Sequence, residues 1–322
     1  MSALDTEIVR EALDDHGTEV VAARPVGDRP MCLLVATDGR PQSDLALLAA
    51  RRIAANEPLG ILTVLPKRAA DVVRADEGDA VDGVAHRGRV EWQVRRVLGN
   101  EVRTSIELRA GDPPIALAAA AARHGDPLLV VGIGRPKVSD RLLGDESALR
   151  VVRAAQTPVL AIAPGCAIPA HSIIIAVDFS PTSFAAAQLA LRLAAPGAEA
   201  LLVHVGARRG EIAWGSAAAG FRGDAELALE NWRERLRRGF SGTLTPVVLH
   251  GDPATELMAI ASHRGADLVA VGAYGHGPES RGDIGSVTAR IVRCASYSVV
   301  VAPRCEEAHP CSVRTRRSQG TT

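Results

Sequence analysis

Two stretches, "LLVATDGRPQSDLALLAA" (Leu33–Ala50) and "IIIAVDFSPTSFAAAQLA" (Ile173–Ala190), decide the fold of this chain. Laid one on the other, they put Asp38 on Asp178, Pro41 on Pro181 and Ser43 on Ser183. The same frame sets Trp92 on Trp232, Arg95 on Arg235 and the "GDP" of Gly111–Pro113 on that of Gly251–Pro253. It also sets Gly132 on Gly272 and Arg153 on Arg293. One frame that holds from Leu33 to Arg293 is an internal repeat. The chain reads as two copies of one domain, residues 30–166 and 167–304, joined near Gly165–Pro169. Residues 1–29 form an N-terminal extension with a short apolar stripe (Ile8, Val9, Ala12, Leu13), and 305–322 a polar, disordered tail. Residues 67–88 are expected to be a mobile loop.

Each copy alternates strand and helix. In the second, Ile173–Val177 is a β-branched run ending at Asp178, and Ala186, Leu189, Ala190 and Leu193 then follow at helical spacing. Ala46, Ala49, Ala50 and Ile53 repeat that stripe in the first copy. Such a stripe faces a sheet. "ALLVHV", "LTPVVL", "DLVAV" and "VVVA" supply further strands, apolar on both faces. Five strands and about four helices per copy give an α/β fold: two tandem doubly wound, five-stranded parallel sheets of Rossmann-like type. An apolar last strand needs cover. Trp92 and Trp232, in corresponding helices, are expected to pack in the core. The two "GDP" turns are expected to place an N-cap Asp.

Charge is balanced, with 37 Lys+Arg against 37 Asp+Glu. That gives no general attraction to nucleic acid or to an anionic membrane. The longest apolar stretch, "PVLAIAPGCAIPAHSIIIAV", is broken by Pro158, Pro164, Gly165, Pro169 and His171, and reads as two strands and a linker. Five irregularly spaced cysteines suggest no disulfide framework. The acidic N-terminus has no apolar leader core, so the expectation is a cytoplasmic protein. Cys305, His309 and Cys311 read as stray tail residues, and no metal site is assigned.

"VGAYGHGPESRGDIGS" (Val271–Ser286) carries the chemistry. After a strand come Gly272, two residues, Gly275, nine residues, then Gly285 and Ser286. Glycines let backbone N–H groups approach an anion, and a helix starting at Gly285–Ser286 adds free N–H groups and a positive dipole end. Ser286 can cap that helix or donate to a phosphate oxygen. If the first and fourth strands are neighbours, Asp178 and Gly272 open into one crevice, with Asp178 accepting hydrogen bonds from the sugar or base of a nucleotide.

The blocks "IIIAVDFSPTS", "LLVHV", "HGDPATELMAIASHRGADLVAVGAYGHG" and "IGSVTARIVRCASYSVVVAP" resemble those of the universal stress protein family, and the loop spacing resembles the motif of its ATP-binding branch. The resemblance runs from about Pro30 to Pro303 and implies an adenine nucleotide alpha hydrolase-like fold. It implies that Ala176, Val177 and Asp178 line the adenine and ribose side and that Val205 meets adenine through its backbone. Val271 and Gly272 would meet the ribose and first phosphates, and Gly275, Gly285, Ser286 and Val287 the phosphate chain. The ligand would be ATP, with Mg2+, in a nucleotide-dependent stress-response protein. The family also implies that Val159–Ala163 and Val299–Ala302 meet across a pseudo-two-fold axis, with a further homo-oligomer plausible.

The first copy departs from the pattern. Gly132 and Gly134 are one residue short, and Asp145 and Glu146 follow Gly144 where Ser286 and Val287 stand in the second. Two carboxylates repel a triphosphate, so this copy is expected to bind ATP weakly or not at all; Lys137 and Arg141 offset some of that charge. The chain lacks a GxxxxGK[ST] loop, a G-x-S-x-G elbow and an H-E-x-x-H pair, and His276 alone is weak evidence for a base. No catalytic residue is assigned. A nucleotide-free scaffold and a subunit like those of electron-transfer flavoproteins are the alternatives.

Overall fold

In the computed structural model of the protein, residues 31–55, 57–66, 78–125, 127–133, 146–206, 217–275 and 284–303 are described. The first half contributes β1 (Leu33–Ala36), α1 (Asp44–Ala54), β2 (Leu59–Pro66), α2 (Gly78–Leu98), β3 (Thr104–Gly111), α3 (Pro113–Ala121), β4 (Leu128–Gly132), α4 (Glu146–Ala154) and β5 (Val159–Ile162). The second repeats it as β6 (Ala170–Ala176), α5 (Pro181–Arg192), β7 (Ala194–Gly206), α6 (Ala217–Leu236), β8 (Thr243–His250), α7 (Pro253–Arg264), β9 (Leu268–Gly272), α8 (Ser286–Cys294) and β10 (Ser298–Ala302).

All ten strands form one sheet, ordered β3-β2-β1-β4-β5-β10-β9-β6-β7-β8. Neighbours within each half are parallel, as crossover helices require. The halves meet where β5 and β10 pair antiparallel, Leu160 opposite Val300. That pairing covers two apolar edges that would otherwise be exposed. Ser298 Oγ also accepts from the Ala163 amide at 3.2 Å. The Asp267 carboxylate accepts from the amides of Ala167, His171 and Ser172, and so ties the start of the second domain to β9.

Strand residues alternate between two cores. Leu33, Val35, Ile173 and Ile175 face α1, α2, α5 and α6. Leu34, Ala36 and Ile174 face α3, α4, α7 and α8. The small residues of the helical stripe let helix and sheet approach: Ala46, Ala50, Ala186 and Ala190 are fully buried.

Three expectations change. Residues 78–88 are the first turns of α2, not a loop, anchored by buried His86 and Val90; residues 67–77 lie outside the described residues. Trp92 is 64% exposed whereas Trp232 is buried. Trp232 packs edge-on against Phe179 and Phe184, with ring centroids 5.8 and 4.9 Å away. In the first half the helix is offset by one residue: buried Gln93 meets Asp44 where Trp232 meets Phe184, Gly39 offers no ring, and Trp92 lies outside under Arg96. Asp252 caps α7, accepting from the Thr255 amide, but Asp112 makes no cap bond and pairs with Arg150. The N-terminal extension and the tail lie outside the described residues.

Candidate functional site

β6 and β9 are hydrogen-bonded neighbours, although β7 and β8 lie between them in sequence. Strand order therefore reverses between them, and the crevice beyond their carboxyl ends is where a doubly wound sheet receives ligands. Ala176 ends β6 and Val177 follows it, Val205 lies at the end of β7, and Val271 and Gly272 end β9. Gly285, Ser286 and Val287 start α8 on the same edge. Of these, Val177 and Val271 are buried, Ala176, Val205, Gly272, Gly285 and Val287 are half-buried, and Gly275 and Ser286 are exposed.

Asp178 is fixed by the turn that follows it. Its Oδ1 accepts from the Ser180 amide at 2.9 Å and from Ser180 Oγ at 2.6 Å. Ser180 then caps α5, accepting from the Ser183 amide. Phe179, between them, has a φ of +65°, a left-handed conformation that a bulky residue rarely adopts. Its ring is held against His204 and Trp232. The other Asp178 oxygen points at the glycine loop: a Cβ on Gly275 would lie 2.8 Å from Oδ2.

The glycine loop is tied down from both ends. Thr182 Oγ1 donates to the Tyr274 carbonyl at 2.7 Å, and a Cβ on Gly272 would meet that hydroxyl at the same distance. Thr288 Oγ1 donates to the Gly272 carbonyl at 2.6 Å, and the Gly285 amide to the Ala273 carbonyl at 2.8 Å. These bonds bring the start of α8 back over the end of β9. Of the two roles open to Ser286, capping falls to Gly285, the N-cap, while Ser286 is the first helical residue. α5 and α7 have Ser180 and Asp252 as side-chain caps, but α8 has none. The amides of Ser286, Val287 and Thr288 have no carbonyl to meet within the helix. Residues 276–283, His276 among them, lie outside the described residues.

His204 stands beside the Asp178 turn, and its Nδ1 donates to the Val177 carbonyl at 2.8 Å. Burial lowers its pKa, and that hydrogen bond and Asp178 only partly oppose the effect, so the ring is neutral. Sequence reasoning missed Thr182, Thr288, Phe179 and His204. Hydroxyls one or two residues inside a helix start are a detectable signal; the aromatic contact is not. Among the described residues no group of three or more His, Cys, Asp or Glu could hold a metal ion, and no helix is long and apolar enough to cross a membrane.

The arrangement can hold an anion on backbone amides and accept hydrogen bonds from a polar group at Asp178. In the first half, the Arg40 amide and Ser43 Oγ bond Asp38 in the same way, and Glu146 opens α4. Gly134, Lys137, Arg141, Gly144 and Asp145 lie outside the described residues.

The model of the universal stress protein family matches the chain twice, over residues 32–163 and 169–303. A universal stress protein from Archaeoglobus fulgidus has a similar structure, at 17% identity and a TM-score of 0.61, over 84% of this chain and 98% of that one. So does a functionally unknown protein from Pseudomonas aeruginosa, at 17% identity and a TM-score of 0.57, over 85% and 92%. A universal stress protein in complex with cAMP matches 42% of this chain and 97% of its own, at 21% identity and a TM-score of 0.35. No curated protein sequence matches the chain.

Proposed function

Because the chain belongs to the universal stress protein family, we propose that it is a nucleotide-responsive regulatory protein of the cytoplasm that holds ATP, with Mg2+, in its second domain. The observation that carries this reading is the start of α8. Its N-cap is a glycine without a side chain, and it faces Gly272 and Gly275 across a loop fixed by Thr182 and Thr288. Three orphan amides and the positive end of a helix dipole suit a phosphate chain. Ser286 Oγ would donate to a phosphate oxygen. Asp178 would accept from the ribose or the base, and the half-buried end of β7 at Val205 would flank adenine.

Binding, not turnover, is the proposed activity. His204 is half-buried, neutral and committed to the Val177 carbonyl, so it is poorly suited to act as a base. ATP would stabilise the bound arrangement of the loop and so change the surface a partner protein meets. The test is calorimetric titration of nucleotide-stripped protein with Mg-ATP, beside Gly285→Arg. We expect one site per chain, lost in Gly285→Arg, because the new side chain occupies the phosphate position. Absence of binding to the stripped protein would overturn the reading in favour of a nucleotide-free scaffold.

A further inference from the structure

The first domain's crevice has been rebuilt around arginine. A cavity of about 1220 Å³ opens at the carboxyl ends of its strands; among the described residues its lining holds Arg40, Arg89, Arg109 and Arg150 against the carboxylate of Asp38. At the equivalent positions the second domain has Ser180, Ala228, Leu249 and Arg290. Only the last of the four is a charge common to both, and in both it pairs with the Asp of the "GDP" turn. The other three arginines are particular to the first domain.

Arg89 is held differently from the rest. Arg40 lies near Asp38 and Arg109 pairs with Glu107, so each shares its charge with a carboxylate. Arg89 instead donates from Nη2 to Nδ1 of His86 at 3.1 Å. Nδ1 therefore carries no proton, and Nε2–H of His86 donates to Thr63 Oγ1 at 2.7 Å. Thr63 and His86 are both buried, while Arg89 is exposed at the cavity. A neutral histidine fixes the guanidinium without neutralising it. Strand register and helix contacts put His204, Ala225 and Ala228 of the second domain where Thr63, His86 and Arg89 stand in the first, so the whole relay is absent there. Gly39 makes room for it: α2 lies so close that a Cβ there would touch Arg89 Cβ at 3.4 Å. In the second domain the same backbone position carries the Phe179 ring.

We propose that the first-domain crevice is a separate binding site for a small polyanion, a compound with two or more phosphate or carboxylate charges, recognised by arginine side chains with Arg89 as the principal contact. Planar guanidinium forks match phosphate and carboxylate oxygens. The start of α4, where Asp145 and Glu146 weigh against a phosphate chain, follows β4, whereas Arg89 on α2 and Arg109 on β3 belong to the other side of the crevice, with β1 and β2 between. His86 is a positioning residue that aims Arg89. The inference is independent of ATP binding in the second domain.

The test is titration of the full chain with inorganic pyrophosphate and with citrate, each beside Arg89→Leu and Gly285→Arg. Arg89→Leu removes the charge at an exposed helical position, and circular dichroism checks its fold. Both anions should bind the unmodified chain, about tenfold more weakly in Arg89→Leu and with unchanged affinity in Gly285→Arg. His86→Leu should weaken binding about fivefold, and His86→Gln, which can still accept from Arg89 and donate to Thr63, should restore most of it. No binding of either anion, equal affinity in Arg89→Leu, or a loss confined to Gly285→Arg would overturn the proposal. A loss of ATP binding with the anion results intact would strike only the second-domain reading.

Discussion

Phe179 and Trp232 meet edge to face with ring centroids 5.8 Å apart; in the first half Gly39 offers no ring, Gln93 takes the place of Trp232, and Trp92 is exposed. The contact holds a bulky side chain at a φ of +65° and packs the outer helix of the second domain onto the Asp178 turn. Trp232→Ala should therefore cost about 3–5 kcal/mol, while Trp92→Ala should change stability by less than about 0.5 kcal/mol. Urea unfolding of the two variants checks the asymmetry.

The same contact gives a second, less intuitive ordering. Phe179→Ala loses the ring and keeps the left-handed backbone, whereas Phe179→Gly loses the ring and relieves the backbone. The glycine variant should be the more stable of the two by about 1 kcal/mol, against the usual preference for alanine. Thermal denaturation of both would decide it.

Gly275 and Asp178 define the mouth of the second crevice. Gly275→Val would force a methyl-bearing carbon to within 2.8 Å of Asp178 Oδ2, while Oδ1 is tied to Ser180. ATP affinity should fall by about tenfold or more, with little change in melting temperature because Gly275 is exposed. Unaltered affinity would remove the glycine from the site.

His204 links acid to stability. Burial holds its folded pKa below the ordinary value of 6.5, so the unfolded chain binds the proton more readily. The stabilisation is complete above about pH 6.5 and is lost as pH falls through the lowered folded value. His204→Gln should flatten that part of the stability curve while retaining a donor for the Val177 carbonyl. His86, lowered by burial and by Arg89 against an opposing effect of Asp38, adds a decline of the same sign from the first domain.

Asp267 joins linker to sheet. Asp267→Ala leaves the amides of Ala167, His171 and Ser172 without their acceptor and should cost about 2 kcal/mol. Limited proteolysis should then cut first near residues 164–170.

Much of this molecule was determined by the sequence alone. A repeat in a single frame, strands apolar on both faces and alanine stripes at helical spacing leave few arrangements other than two doubly wound sheets. The spacing from Gly272 to Ser286 marked a phosphate-type loop because glycine spacing and a helix start are local features. Tertiary structure decided the rest. Whether β6 and β9 are neighbours, which end of α8 folds back onto Gly272, and why one tryptophan is buried and its twin exposed all depend on contacts between residues far apart in the chain. The relay from Thr63 through His86 to Arg89 was equally hidden. Each of its members is an ordinary residue alone, and only the packing of α2 over Gly39 brings them into a line.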